Sequence, residues 1–209
     1  MEESRNTIGL ENGRVIKQFA NHMDYVNELR IYKKLEGTGL CPELLYNGQD
    51  VIEHEYIDSP LLFDELIAAI SDERKLQHLF ALFTAWYAEF RRIAGCSLEH
   101  VDFRDFAVKD DHIVCFDFEH CKADFLESDF AKLCSQIYLV PKPFSAEAER
   151  VCRLFIRQVC ARFSLAPDLF ASQLRSELAR ICELLGIEHD EEKIDGFAER
   201  TADLIRESI

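Results

Sequence analysis

Two carboxylates, Asp102 and Asp117, stand at opposite ends of one short apolar stretch. The stretch reads His100-Val-Asp-Phe-Arg-Asp-Phe-Ala-Val108, then Lys109-Asp110-Asp111, then Ile113-Val-Cys-Phe-Asp-Phe-Glu119. Alternating apolar residues on either side of an Asp-rich break predict a β-hairpin, Phe106–Val108 paired with Ile113–Phe116. A hairpin returns its two ends to the same place. Asp102, in the loop entering it, and Asp117, just past the strand leaving it, are therefore expected to share one site. Phosphoryl transfer needs such a pair: one carboxylate orients the attacking hydroxyl and another holds Mg²⁺ on the phosphates. The plainer role for either acid is turn capping, because Asp favours turns. Asp117, however, lies between Phe116 and Phe118 after Ile113, Val114 and Cys115. An acid in so apolar a run needs a partner, and a metal ion is one.

The elements that would position these acids begin near the N-terminus. Asn12-Gly13 suits a two-residue type I′ turn, so residues 6–10 and 15–19 are expected to pair as a hairpin. Tyr25, Leu29, Tyr32 and Leu35 fall at helical spacing, and Gly37 and Gly39 follow that helix. Leu44–Asn47 and Val51–Ile57 form a second expected hairpin, turning at Asn47-Gly48. From Pro60 the pattern becomes helical, with Leu61–Ile70, Glu73–Ile93, Ser128–Leu139, Ala146–Phe163, Pro167–Leu185 and Glu191–Ile209 as expected helices. Phe80, Phe83 and Phe90 recur at helical spacing and read as core. The expected class is α+β in two lobes: residues 1–57, a small antiparallel sheet with one helix, and residues 58–209, mainly helical.

In this frame the sequence resembles the protein-kinase-like superfamily, nearest its aminoglycoside and choline phosphotransferase branch. The resemblance rests on His100-x-Asp102, on Asp117-Phe118-Glu119 in place of Asp-Phe-Gly, and on Ser128-Asp129-Phe130-Ala131 as a helix start. It implies Asp102 as catalytic base, Arg104 as a phosphate-facing cation, and Asp117 as a metal ligand. Asp129 would tie down the catalytic-loop backbone. Lys17 on the second strand would pair with Glu28 on the next helix and reach the α- and β-phosphates. Glu53-His54-Glu55-Tyr56-Ile57-Asp58 is similar to the hinge whose backbone binds adenine, with Glu55 and Ile57 as the contacts. ATP and Mg²⁺ are the implied cofactors, and a small-molecule hydroxyl is the implied acceptor. The sequence departs from the pattern in two places. The stretch before Lys17 leaves no room for the family's first strand and Gly-rich loop, so a truncated N-lobe is expected. The metal-binding Asn is missing, and Asp105 is the nearest substitute. Taken one at a time, Lys17 reads as a solvated strand lysine, Glu28 as a polar-face residue and His100 as a backbone-bonded histidine.

Composition narrows the partners. Hydrophobic residues make up 48% and charged residues 30%, and the net charge is -15. A surface so acidic repels phosphate backbones and anionic lipid, which excludes general nucleic-acid and membrane binding. No apolar run approaches the roughly 20 residues that cross a bilayer, and Met1–Arg5 lacks the design of a secretory leader. The 8 cysteines are dispersed, several of them in apolar stretches, which points to reduced thiols and a cytoplasmic location. His112, Cys115, His120 and Cys121 are zinc-ligand types, but their spacing matches no knuckle. Residues 188–193 read as a turn and the solvated first turn of the last helix. Besides a phosphotransferase, two other classes fit the sequence. One is a catalytically inactive pseudokinase that binds or scaffolds a protein partner. The other is a helical interaction protein with no hairpin between Asp102 and Asp117.

Overall fold

The computed structural model describes residues 6–123, 126–139, 143–187 and 190–208. The expectations for residues 1–5, and for residues 188 and 189 of the charge run, lie outside the described residues.

Strands β1 (Thr7–Glu11) and β2 (Arg14–Gln18) pair through the Asn12-Gly13 turn, at φ of 50° and 76°. Both central residues of a type I′ turn need positive φ, which Asn tolerates and Gly adopts freely. Helix α1 (His22–Leu35) follows, its first turn capped by Asn21, which accepts from the Met23 amide. Strands β3 (Leu44–Gly48) and β4 (Val51–Glu55) complete an antiparallel sheet in the order β1-β2-β4-β3. The turn between them is not the expected Asn47-Gly48. Gly48 pairs with Val51, and Gln49 and Asp50 make the turn, at φ of 53° and 60°. Tertiary contacts decide this: Asp50 is gripped by the end of β2. Its carbonyl accepts from the Phe19 amide at 2.8 Å, and its carboxylate meets His22 Nδ1 at 2.6 Å.

The chain then becomes helical. Helix α2 (Leu62–Ala68) leads into α3 (Glu73–Ala94), which Asp72 caps and Gly95 ends in the left-handed conformation at φ 71°. Its aromatic stripe is the centre of the core. Phe80, Phe83, Trp86, Tyr87 and Phe90 are buried, with Trp86 stacked on Phe90 at 5.1 Å and Phe83 edge-on to Phe106 at 5.2 Å. Each such ring contributes roughly 2–3 kcal/mol by burial. Next come β5 (Ser97–Leu98), a 3₁₀ turn (Phe103–Asp105), and the hairpin β6 (Phe106–Lys109) with β7 (His112–Cys115), turning at Asp110-Asp111. Strand β8 (Cys121–Lys122) pairs back on β5. Helices α4 (Leu126–Leu139), α5 (Ala146–Cys160), α6 (Pro167–Leu185) and α7 (Glu191–Ser208) pack together as the remaining layer. The class is α+β, a small antiparallel sheet region followed by a larger helical one, as the sequence predicts. No helix among the described residues is long and apolar enough to cross a membrane.

Candidate functional site

Lys17 lies near the end of β2 with its side chain turned inward, because its cross-strand partner Ile52 is buried on the same face. Its Nζ meets Glu28 Oε2 at 2.8 Å, Asp117 Oδ1 at 3.0 Å and Glu119 Oε2 at 3.2 Å. The solvated-lysine reading is thereby replaced by a 6% exposed ammonium inside a carboxylate cage. Burial alone would lower the Lys17 pKa; Glu28, Asp117 and Glu119 together reverse that and hold it well above its usual value. Burial, with Asp117 and Glu119 nearby, pushes the Glu28 carboxyl above its usual value, and the ion pair with Lys17 opposes that rise. The cage holds three carboxylates around one cation, so its field is negative. One oxygen each of Glu28, Asp117 and Glu119 lies within 4.8 Å of the others, and Glu28 Oε1 is buried with no hydrogen-bond partner among the described residues.

Asp105 stands beside this cage. Its carbonyl accepts from the Phe116 amide at 3.2 Å, one step beyond the Phe106–Cys115 pair, so the hairpin sets it next to Asp117. Burial first, then the charges of Asp117 and Asp102, push its carboxyl up to about 7. Because the folded protein protonates Asp105 more readily than an unfolded carboxylate near ~3.9, wild-type stability falls as pH rises between those values. Asp105→Asn should therefore stabilise the protein by ~2 kcal/mol at about pH 8 and scarcely at about pH 4. Urea unfolding at both pH values checks this; an equal effect at both would count against a buried, charge-crowded Asp105.

Asp102 caps the 3₁₀ turn. Its Oδ1 accepts from the Arg104 amide at 2.8 Å and from Arg104 Nε at 3.1 Å, while Oδ2 meets Arg104 Nη2 at 3.0 Å. Arg104 thus grips Asp102 and extends over the Phe63 ring, 5.4 Å from its centroid. The loop itself is pinned from α4. Gln136 accepts from the Phe103 amide at 3.2 Å and donates to the Val101 carbonyl at 3.0 Å, so one amide clasps both neighbours of Asp102. Buried Asp129 accepts from the Leu98 amide at 2.7 Å and from the Tyr87 hydroxyl, anchoring the entry to the same loop. Glu55 and Ile57 lie at the end of β4 and just beyond it. The Tyr56 amide between them donates to the Gly13 carbonyl at 3.0 Å.

The structure therefore gathers Lys17, Glu28, Asp117 and Asp105, and holds Asp102 and Arg104 against each other in the adjoining loop. Sequence reasoning missed two participants. Glu119 was legible only as a departure from glycine in Asp-Phe-Gly. Gln136 carries no local signal at all, since its role depends on where α4 docks. The four zinc-type residues do not converge as a set. Cys115 is fully buried, its thiol pointing to the Asp117 carbonyl at 3.7 Å, while His112 is exposed at the hairpin turn.

No family model and no curated protein matches this sequence. The fold does have a solved counterpart. The chain superposes on the crystal structure of a choline/ethanolamine kinase family protein from Mesorhizobium loti with a TM-score of 0.52 and 11% identity, covering 99% of this chain and 87% of that one. The architecture is kinase-like.

Proposed function

We propose that the chain is an ATP- and Mg²⁺-dependent phosphotransferase acting on a hydroxyl of a small molecule, with residues 1–57 as the nucleotide-covering lobe and residues 58–209 supplying the catalytic loop. The observation that carries this reading is the convergence of Glu28 at 2.8 Å and Asp117 at 3.0 Å on Lys17, the second acid from about 100 residues along the chain, in a kinase-like fold. Hard oxygen donors suit Mg²⁺, and Asp117, with a side chain 39% exposed, is open to one, so the residues fit the ion. Asp117 and Asp105 would hold it, and it would neutralise phosphate charge during transfer.

The chain's own groups take the remaining roles. Glu28 positions Lys17 for the α- and β-phosphates, and the backbone at Ile57 offers hydrogen bonds to the base; Glu55 does not, since its amide donates to the Glu43 carbonyl at 3.0 Å and its carbonyl meets His54 Nδ1 at 2.8 Å. Asp102 accepts the proton of the attacking hydroxyl. Arg104 keeps that carboxylate oriented until a phosphate draws it away. An open cleft of about 460 Å³ beside Asp102, lined by His100, Gln136, Glu177, Arg180 and Ile181, has room for a small acceptor.

Because three carboxylates crowd Lys17, a nucleotide's phosphates meet repulsion unless a divalent cation comes with them. Calorimetry should accordingly find ATP binding with Mg²⁺ and at least tenfold weaker binding without it, and Asp117→Ala should lose the Mg²⁺-dependent component. A second reading, a pseudokinase that binds a protein partner, is favoured by the Asp102–Arg104 clasp, which occupies base and cation with each other. Binding of ATP independent of Mg²⁺, or no binding, would decide for it.

A further inference from the structure

Outside the carboxylate cage, one other cluster among the described residues brings metal-ligand side chains together. Glu99 and His100 follow β5, and His120 precedes β8; the β5–β8 ladder extends to them through the Glu99 amide, which donates to the His120 carbonyl at 3.4 Å. The two imidazole rings lie 4.4 Å apart, centroid to centroid, at 55°. One ligand atom each from Glu99, His100 and His120 falls within 4.8 Å of the others. His100 makes no hydrogen bond among the described residues and is exposed, so its ring nitrogens are available. His120 Nε2 sits 3.2 Å from Glu119 Oε1. A carboxylate accepting the Nε2 proton fixes the tautomer and leaves the lone pair on Nδ1, an arrangement in which a histidine ligand is oriented from behind.

We infer that Glu99, His100 and His120 form a binding site for a divalent transition-metal ion of the zinc class. Two imidazoles and a carboxylate are borderline ligands that suit Zn²⁺, Co²⁺ or Ni²⁺ and discriminate against Mg²⁺, which prefers oxygen alone. Three protein ligands leave a further position for water. Glu99 now pairs with Lys122 at 2.6 Å, so binding exchanges one cation for another at that carboxylate. The ion would act as a clip. His100 lies two residues before Asp102, and His120 three residues after Asp117. Occupancy therefore ties the two loops that carry the acids to each other, at a point outside the cage.

The test uses Co²⁺ as a spectroscopic probe on the full chain, in excess Mg²⁺ to occupy the acidic oxygens. Visible bands saturating at one ion per chain and displaced by Zn²⁺ are expected, with a thermal midpoint that rises in Zn²⁺. His100→Ala and His120→Ala, both on partly or fully exposed side chains, should each weaken binding at least tenfold while the metal-free midpoint stays near wild type. Asp117→Ala should retain the bands. Absence of bands overturns the inference. So does affinity unchanged in both histidine variants, or thiolate charge-transfer absorption, which would put the ion on the cysteines.

Discussion

Asp102→Asn is expected to abolish phosphate transfer while leaving nucleotide binding and the fold intact. The amide keeps the oxygen that caps the 3₁₀ turn and accepts from the Arg104 amide at 2.8 Å. Asn caps a turn as well as Asp does. Gln136 and Asp129 continue to hold the loop from both sides. What is lost is the capacity to take a proton from an acceptor hydroxyl, a contribution of about 10²–10⁴ in rate. ADP release, coupled to a chromogenic assay with and without candidate alcohols, is the measurement. Full activity in Asp102→Asn would remove Asp102 from the base role. Loss of ATP binding in that variant would show instead that the loop had moved.

Lys17→Met should have the largest effect on stability. Methionine nearly preserves the volume but leaves Glu28, 0% exposed, facing Asp117 and Glu119 with no cation. A buried charge stripped of its partner costs about 3–5 kcal/mol. In a chain of this size that lowers Tm by roughly 10 °C. The double variant Lys17→Met/Glu28→Gln should recover most of the loss, because a neutral amide no longer demands a counter-charge. The deficit of the single variant should shrink at low pH, where Glu28 accepts a proton. Thermal unfolding of the four proteins across pH closes the cycle. A single-variant loss below about 1 kcal/mol would mean that water reaches the cage and screens it.

Much of this architecture was legible in the residues, for identifiable reasons. The Asn12-Gly13 turn, the aromatic periodicity of α3 and the Pro at the start of α6 are local signals, and local physics decides those elements. The acids at the two ends of the Phe106–Cys115 hairpin were legible because a hairpin is a geometric constraint as well as a pattern. The turn at Gln49-Asp50 was not, since contacts from β2 and His22 outweigh the Asn-Gly preference next door. Strands β5 and β8, two residues each, are too short to show any alternation. Nor could spacing reveal that Arg104 turns back onto Asp102, or that Glu119 joins Lys17. Both depend on side-chain direction within one turn of chain.

The carbonyl of Leu40, just after α1, accepts from the Cys115 amide at 3.0 Å and from Trp86 Nε1 at 2.9 Å. Those donors belong to β7 and α3, so the C-terminal end of α1 is fastened to the helical region even though α1 precedes half of the sheet in sequence. The consequence is mechanical. Tyr32 of α1 also stacks on His54 of β4 at 5.8 Å, so the helix is tied to both regions and bridges them. Lys17 on β2 and Glu28 on α1 meet within that bridge. Their ion pair, with Asp117 and Glu119 on the same ammonium, makes Lys17 the pin on which sheet, helix and hairpin all turn.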